Sequence, residues 1–136
     1  NSKKKEGDDC TPIGVFKIGR VYYRPDRIKK IDTSLKTKKI TKNMGWCDDP
    51  YNKNYNKEII LNRKNKGEKL FRKDSIYDIL IVIEYNTKKV RPFKGSAIFI
   101  HLTKNYKPTQ GCIALKKNDL LILLKIIDKN SKIKIC

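Results

Sequence analysis

One histidine, one tryptophan and one methionine are all that this chain has of those residues, and its 14 acidic residues face 33 Lys plus Arg. Each scarcity excludes something. A single imidazole, with cysteines at 10, 47, 112 and 136 and no Cys-x-x-Cys pair, leaves no starting point for a zinc site, so no metal is expected. No stretch approaches the ~18 consecutive apolar residues of a membrane helix, so no transmembrane segment is expected. The opening "NSKKKEGDDC" has no apolar core of a secretory signal, so no signal peptide is expected within the chain. Repeats, low-complexity linkers, zinc-finger spacing, RNP-like aromatic stretches and basic heptad helices are missing too, which removes the usual nucleic-acid modules.

What is present points to a folded chain. Hydrophobic residues make up 38% and come in runs, and 136 residues suit one domain with a real core. We expect a single domain over 1–136. The formal charge of +19 has two readings: lysine used as a generic solvated surface, or a polyanionic partner such as nucleic acid, an anionic lipid surface or an acidic wall polymer. The lysines are scattered, at 3–5, 29–30, 36–39, 88–89, 116–117 and 125–134, so charge alone does not choose. No nucleic-acid partner is expected. The even cysteine count permits disulfides in any of three full pairings, Cys10 with Cys136 among the possible links, and spacing favours none.

Residues 1–12 read as an exposed basic segment ending in a turn at "TPIG". "VFKIGRVYY" (15–23) alternates around a glycine, as a strand or bent hairpin does. Residues 24–57 read as a long irregular stretch, the kind of loop that carries function. "EIILN" (58–62) is a short strand, and "YDILIVIEYN" (77–86) is the strongest, apolar enough to be buried on both faces. "GSAIFIHL" (95–102) places Ala97, Phe99 and His101 on one face and Ile98, Ile100 and Leu102 on the other. "GCIALK" (111–116) is another strand, "NDLLILLKIID" (118–128) a helix with Asn118 or a neighbour as N-cap, and "SKIKI" (131–135) a closing strand. The sum is a mostly β fold with one main α-helix near 118–128.

Chemistry concentrates in "HLTKNYKPTQGCIAL" (101–115). A thiol nucleophile needs a base, a group that orients the base, and donors for an oxyanion. His101 ends one strand and Cys112 opens the next, and a long hairpin loop between them would bring the two together. Gly111 lets the backbone turn sharply, so that the Cys112 amide, with that of Gly111, can face an oxyanion. Against this stands the plain alternative of a structural histidine and a buried cysteine. Spacing does not decide between them.

The same stretch resembles the catalytic motif of the L,D-transpeptidase (YkuD-like) family: a histidine, a variable loop, then Ser/Thr-His-Gly-Cys and a hydrophobic residue. Here it reads His101, the loop, and Thr109-Gln110-Gly111-Cys112-Ile113. "GSAIFIH", Pro108-Thr109, Ala114-Leu115 and Asp119-Leu120-Leu121 match a short bacterial subgroup, as do "KKEGDDCTPIGVF" (4–16), "GWCDDPYNKNYN" (45–56) and "YDILIVIEYN". The resemblance runs from about residue 3 to 135. It implies a YkuD-like β-sandwich or barrel-like sheet domain, and a chain that starts inside that domain, short of an N-terminal strand. It implies a peptidoglycan L,D-transpeptidase without cofactor, with peptidoglycan stem peptides as partners, carbapenems as inhibitors, and the periplasm or cell envelope as location. Cys112 would be the nucleophile and His101 the base and then acid. The Leu102 carbonyl would orient His101, and Gly111 would contribute to the oxyanion hole. Thr109, Gln110, Ser96, Trp46 and Tyr85 are the candidate substrate contacts. Three positions depart from the family: Gln110 where a second histidine is common, Ala114 where Arg or Asn is common, and Asp9 in place of a turn glycine.

The remaining candidates stay open. Trp46, Tyr51 and Tyr55 line a groove or pack the long loop, and Ser96 and Thr109 either serve the site or satisfy backbone. Cys47 reads as a small buried hydrophobe. Asp48 and Asp49 read as turn caps and not as a glycosidase pair. The rival functions are an L,D-carboxypeptidase or amidase of the same fold, and a non-catalytic basic module that binds wall or nucleic acid.

Overall fold

The computed structural model of the chain describes residues 4–103 and 112–136. Its elements in order are β1 (Gly14–Tyr23), β2 (Thr37–Lys39), β3 (Met44–Trp46), β4 (Glu58–Ile60), β5 (Glu68–Lys69), β6 (Ile79–Ile83), β7 (Phe99–Leu102), β8 (Ile113–Leu115), α1 (Lys117–Ile126) and β9 (Lys132–Ile135). The fold is mostly β, with α1 the one α-helix among the described residues.

The centre is β6, "ILIVI", buried at every position. Branched side chains suit a pleated surface, and alternation sends them to two different cores. Ile79, Ile81 and Ile83 pack with Ile100 and Leu102 of β7 and with Leu120 and Leu124 of α1. Leu80 and Val82 pack with Phe99 of β7, Tyr22 of β1 and Trp46 of β3. The larger sheet therefore lies between the helix on one side and the small sheet on the other. Its order is β2-β1-β6-β7-β8, with β9 also on β1, and the small sheet runs β4-β3-β5.

Strand β1 serves two partners. Gly14 to Lys17 pair with β9, and Val21 to Tyr23 pair with β2. Between Ile18 and Val21 its register on β6 shifts, bending the strand around Gly19. A Cβ at Gly19 would stand 2.2 Å from a Glu84 carboxylate oxygen and 3.2 Å from the Val82 carbonyl, so the strands approach here only through glycine.

Several expectations are corrected. The stretch 24–57 holds β2 and β3, each of three residues and too short to show a period. The two-residue β5 has no sequence signal at all. Asn118 is not the helix cap: Lys116 takes that position without a side-chain cap bond. The N-terminal segment is not wholly exposed, since Lys4 is buried and ion-paired to Asp8 at 2.7 Å. Strands β7 and β8 run parallel, so they are not the two arms of the expected hairpin, whose loop lies outside the described residues. Cys10, Cys47 and Cys136 are free thiols.

Neighbouring positions of α1 should respond very differently to truncation. Leu120 is fully buried whereas Ile122 is 56% exposed. Leu120→Ala is expected to cost about 2–5 kcal/mol and Ile122→Ala less than about 0.5 kcal/mol, read from urea midpoints at unchanged slope. Equal losses would contradict this placement of the helix.

Candidate active site

Parallel pairing of β7 and β8 sets Ile100 against Ile113 and His101 against Ala114. Continuing the register by one residue puts Cys112 beside Phe99. Phe99 and His101 share a face by alternation, and so do Cys112 and Ala114. His101 and Cys112 thus stand on one face of adjacent strands, at diagonal positions. Both line a cavity of about 270 Å³, together with Ala97 and Tyr77.

His101 is 6% exposed. Its Nδ1 lies 2.8 Å from the Leu102 carbonyl oxygen. A carbonyl only accepts, so Nδ1 carries the proton and Nε2 keeps the lone pair. The Tyr77 ring stands edge-on to the imidazole, with centroids 5.5 Å apart. The Tyr77 hydroxyl donates to Glu68 at 2.9 Å. The Arg72 guanidinium lies over the same tyrosine, 5.4 Å from its centroid, and pairs with Asp74 at 2.7 Å. The imidazole plane is therefore held by its own strand's backbone on one side and by an anchored aromatic ring on the other.

The Cys112 thiol donates to the Ala97 carbonyl at 3.2 Å. Burial pushes the thiol up to about 11 and holds the His101 imidazolium below its ordinary 6.5. The resting pair is thus thiol and neutral imidazole. Such a pair passes its proton during nucleophilic attack, not before it.

The cavity wall has its own charge. Glu6, Asp9, Asp48 and Glu68 face it, against Lys4 and Arg72. In a chain of +19 this is an acidic pocket. Burial, followed by the carboxylates of Glu6, Glu68 and Asp49, raises the Asp48 carboxyl. Lys4 and Arg72 are already engaged, with Asp8 and Asp74.

Among the candidate substrate contacts, Ser96 lines the cavity and its hydroxyl donates to Glu6, which also accepts from Tyr55. Trp46 is not part of the cavity wall. It is buried in the core between the sheets, edge-on to Phe99, and borders a separate groove of about 620 Å³. Tyr85 is also elsewhere, its hydroxyl bonded to the Lys94 carbonyl and its ring edge-on to Phe16. Tyr55 is buried, while Tyr51 is 87% exposed against Phe93. Thr109, Gln110 and Gly111 lie outside the described residues. Sequence reasoning missed Lys4, Glu6, Glu68, Arg72 and Tyr77. Lys4 and Glu6 fall in "KKEGDDC" and Tyr77 opens the strongest strand, so motif position was the available signal for those three. Glu68 and Arg72 lie in and beside the strand that gave none. Among the described residues no group of three or more His, Cys, Asp or Glu is placed to hold a metal ion.

With a thiol pushed up to about 11, Cys112 should resist alkylation in the resting protein. At pH 8 its iodoacetamide rate is expected to be on the order of 100-fold below that of an unstructured cysteine peptide, whose thiol titrates near 8.5. Peptide-resolved mass spectrometry measures it, and a rate equal to the peptide's would refute the neutral resting pair.

A family model described as the L,D-transpeptidase catalytic domain, YkuD, matches residues 2–135. No curated protein and no solved structure matches the chain. The family match spans nearly all 136 residues and takes in the strands that carry His101 and Cys112, so the chain belongs to the L,D-transpeptidase catalytic-domain family.

Proposed function

We propose that this chain is a cysteine-dependent peptidoglycan L,D-transpeptidase with Cys112 as nucleophile and His101 as general base and acid. The observation that supports it most directly is the tautomer of His101. With Nδ1–H bonded to Leu102, the only basic nitrogen is Nε2, on an imidazole that shares its cavity with the Cys112 thiol.

In the first half-reaction Cys112 Sγ attacks the amide carbonyl that joins the diamino acid of a tetrapeptide stem to its terminal D-alanine. The thiol proton passes to His101 Nε2, and the carbonyl oxygen takes up negative charge. The backbone amides of Gly111 and Cys112 are the proposed donors to that oxyanion. The C–N bond breaks as Nε2–H protonates the departing amine of D-alanine, leaving a thioester on Cys112. In the second half an amine of another stem attacks the thioester, Nε2 takes its proton, and the thiol is restored. Water in place of the amine gives a trimmed stem, the carboxypeptidase outcome of the same site. Ser96, Thr109 and Gln110 are the proposed stem contacts. Lys4 and Arg72 are the cations in the cavity wall, and one of them would have to exchange its Asp8 or Asp74 partner for a stem carboxylate, the role that Ala114 cannot fill. The location proposed with this reading is the cell envelope or periplasm.

Cys112→Ala is expected to abolish D-alanine release from a tetrapeptide stem while keeping the fold, and a carbapenem should add to the wild-type chain at Cys112, seen by intact-protein mass. Turnover by the alanine variant would sink the assignment. The sign of the pH dependence follows from His101: burial disfavours the imidazolium, so the base form is complete at neutral pH. kcat/KM should fall on acidification with a midpoint below 6.5. His101→Ala should lose roughly 100- to 10,000-fold in rate together with that acid limb. An acid limb that survives the substitution would assign the base elsewhere.

A further inference from the structure

We propose that Asn56 is a positioning residue for the Cys112 thiol, acting through the backbone of Ala97. The inference rests on the reading of Cys112 as the nucleophile.

Asn56 is 4% exposed and lies far from the histidine–cysteine stretch in sequence. Its carboxamide has two acceptor lone pairs and two N–H donors, and all four are in use. Oδ1 accepts from the Trp46 indole N–H at 2.8 Å and from the Ala97 amide at 3.0 Å. Nδ2 donates to the Tyr85 carbonyl at 3.1 Å and to the Asn86 carbonyl at 2.7 Å. One side chain therefore clasps both ends of the connection between β6 and β7.

That connection needs clasping. Asn86, Phe93, Gly95 and Ala97 all have left-handed backbones, with φ of 54°, 66°, 115° and 55°. Alanine rarely adopts that conformation unless its surroundings impose it. Tyr55, next to Asn56, adds a second hold through its hydroxyl, which accepts the Gly95 amide at 3.0 Å. The held conformation of Ala97 aims its carbonyl at the Cys112 sulfur, 3.2 Å away. The chain of cause runs from the Asn56 carboxamide to the Ala97 amide, through its φ, to the Ala97 carbonyl and the thiol proton.

An S–H bond to a fixed carbonyl favours the thiol and disfavours the thiolate. It also fixes the sulfur's rotamer before substrate arrives, so that the proton swings to His101 only when attack begins. Besides His101, the titratable or charged side chains lining the cavity with the sulfur are Lys4, Glu6, Asp9, Asp48, Glu68, Arg72 and Tyr77. None of them bonds to Asn56. The Phe99 backbone, which also bonds the sulfur, meets Asn56 only through the packing of Trp46, so the hydrogen-bonded route from Asn56 to the thiol runs through Ala97.

Two substitutions separate positioning from general loosening. Asn56 has a φ of 58°, a conformation that both glycine and aspartate tolerate. Asn56→Gly removes all four bonds. Asn56→Asp keeps an oxygen acceptor for the Ala97 amide and adds negative charge. The readout is the pH midpoint of Cys112 alkylation by iodoacetamide, followed on the Cys112 peptide by mass spectrometry, with kcat and KM for D-alanine release measured beside it. Asn56→Gly is expected to lower the midpoint by about half a unit or more, and to cut kcat ~10-fold with KM within about twofold. Asn56→Asp is expected to hold the midpoint at or above the wild-type value. Loosening alone would lower both. A folded Asn56→Gly protein with the wild-type midpoint overturns the proposal, and so does a lowered midpoint in Asn56→Asp. If Asn56→Gly fails to fold, the Asn56→Asp midpoint decides by itself. The alkylation comparison needs no turnover, so a failure of the transpeptidase assignment, read from Cys112→Ala, remains distinct from a failure of this one.

Discussion

The site depends on the fact that β6 and β7 are buried on both faces. Such strands have no solvent side, so every alternate residue must be assigned to one core or the other. Ile98, Ile100 and Leu102 go to the helix side, and Phe99 and His101 go to the small-sheet side. Burying a lone imidazole there is tolerable because its N–H finds a carbonyl one residue on, in the same strand. The parallel addition of β8 then brings Cys112 to the same face. A one-residue slip of β8 would send the thiol into the helix-side core, so the apolar pattern of Ile113 and Leu115 protects the register of the cysteine.

Electrostatics at the cavity run against the charge of the whole. A surface of +19 draws in polyanions at long range, and wall polymers are one such class. At the cavity, four carboxylates outnumber the two cations, which are themselves paired. The long-range field and the local pocket thus favour opposite ligands: an anionic polymer for the surface, and a cationic or neutral group beside the sulfur. A stem peptide with a free side-chain amine, lying on an anionic wall, presents both.

Much of the scaffold is readable from the residues because it is built from long apolar signals. "ILIVI", "AIFIHL" and "LLILL" each declare their period or their lack of a polar face, and the structure places β6, β7 and α1 there. Strands β2, β3 and β5 are set by tertiary pairing, and two or three residues carry no period to read. The parallel sense of β7 and β8 was unreadable for a related reason: chain length limits how two strands can meet, but their relative direction is fixed by the rest of the sheet. In the site, the residues with distinctive chemistry, His101 and Cys112, could be singled out. Glu68 and Arg72 could not, because one lysine-rich loop looks like another, and the position of Tyr77 at the head of the strongest apolar stretch does not tell that its ring stands against His101. Trp46, open in the sequence between lining a groove and packing, fills the core, borders the separate groove and holds Asn56 through its indole N–H.

Left-handed backbone marks the parts of the chain that shape the cavity. Asp9, in the cavity wall, takes φ of 55°, a conformation that a short polar side chain accepts. Asn56 takes it beside the β6–β7 connection, and Ala97 takes it at the carbonyl that meets the thiol. Strain of this kind persists only where surrounding contacts over-determine it. Here the contacts are a clasp of side-chain hydrogen bonds from Tyr55 and Asn56, outside the two strands that carry the chemistry. Burial pushes the thiol up, and its bond to that carbonyl disfavours the thiolate in the resting site. In the proposed mechanism the sulfur becomes nucleophilic when a carbonyl carbon arrives and the proton has Nε2 to go to, which ties reactivity to an occupied site.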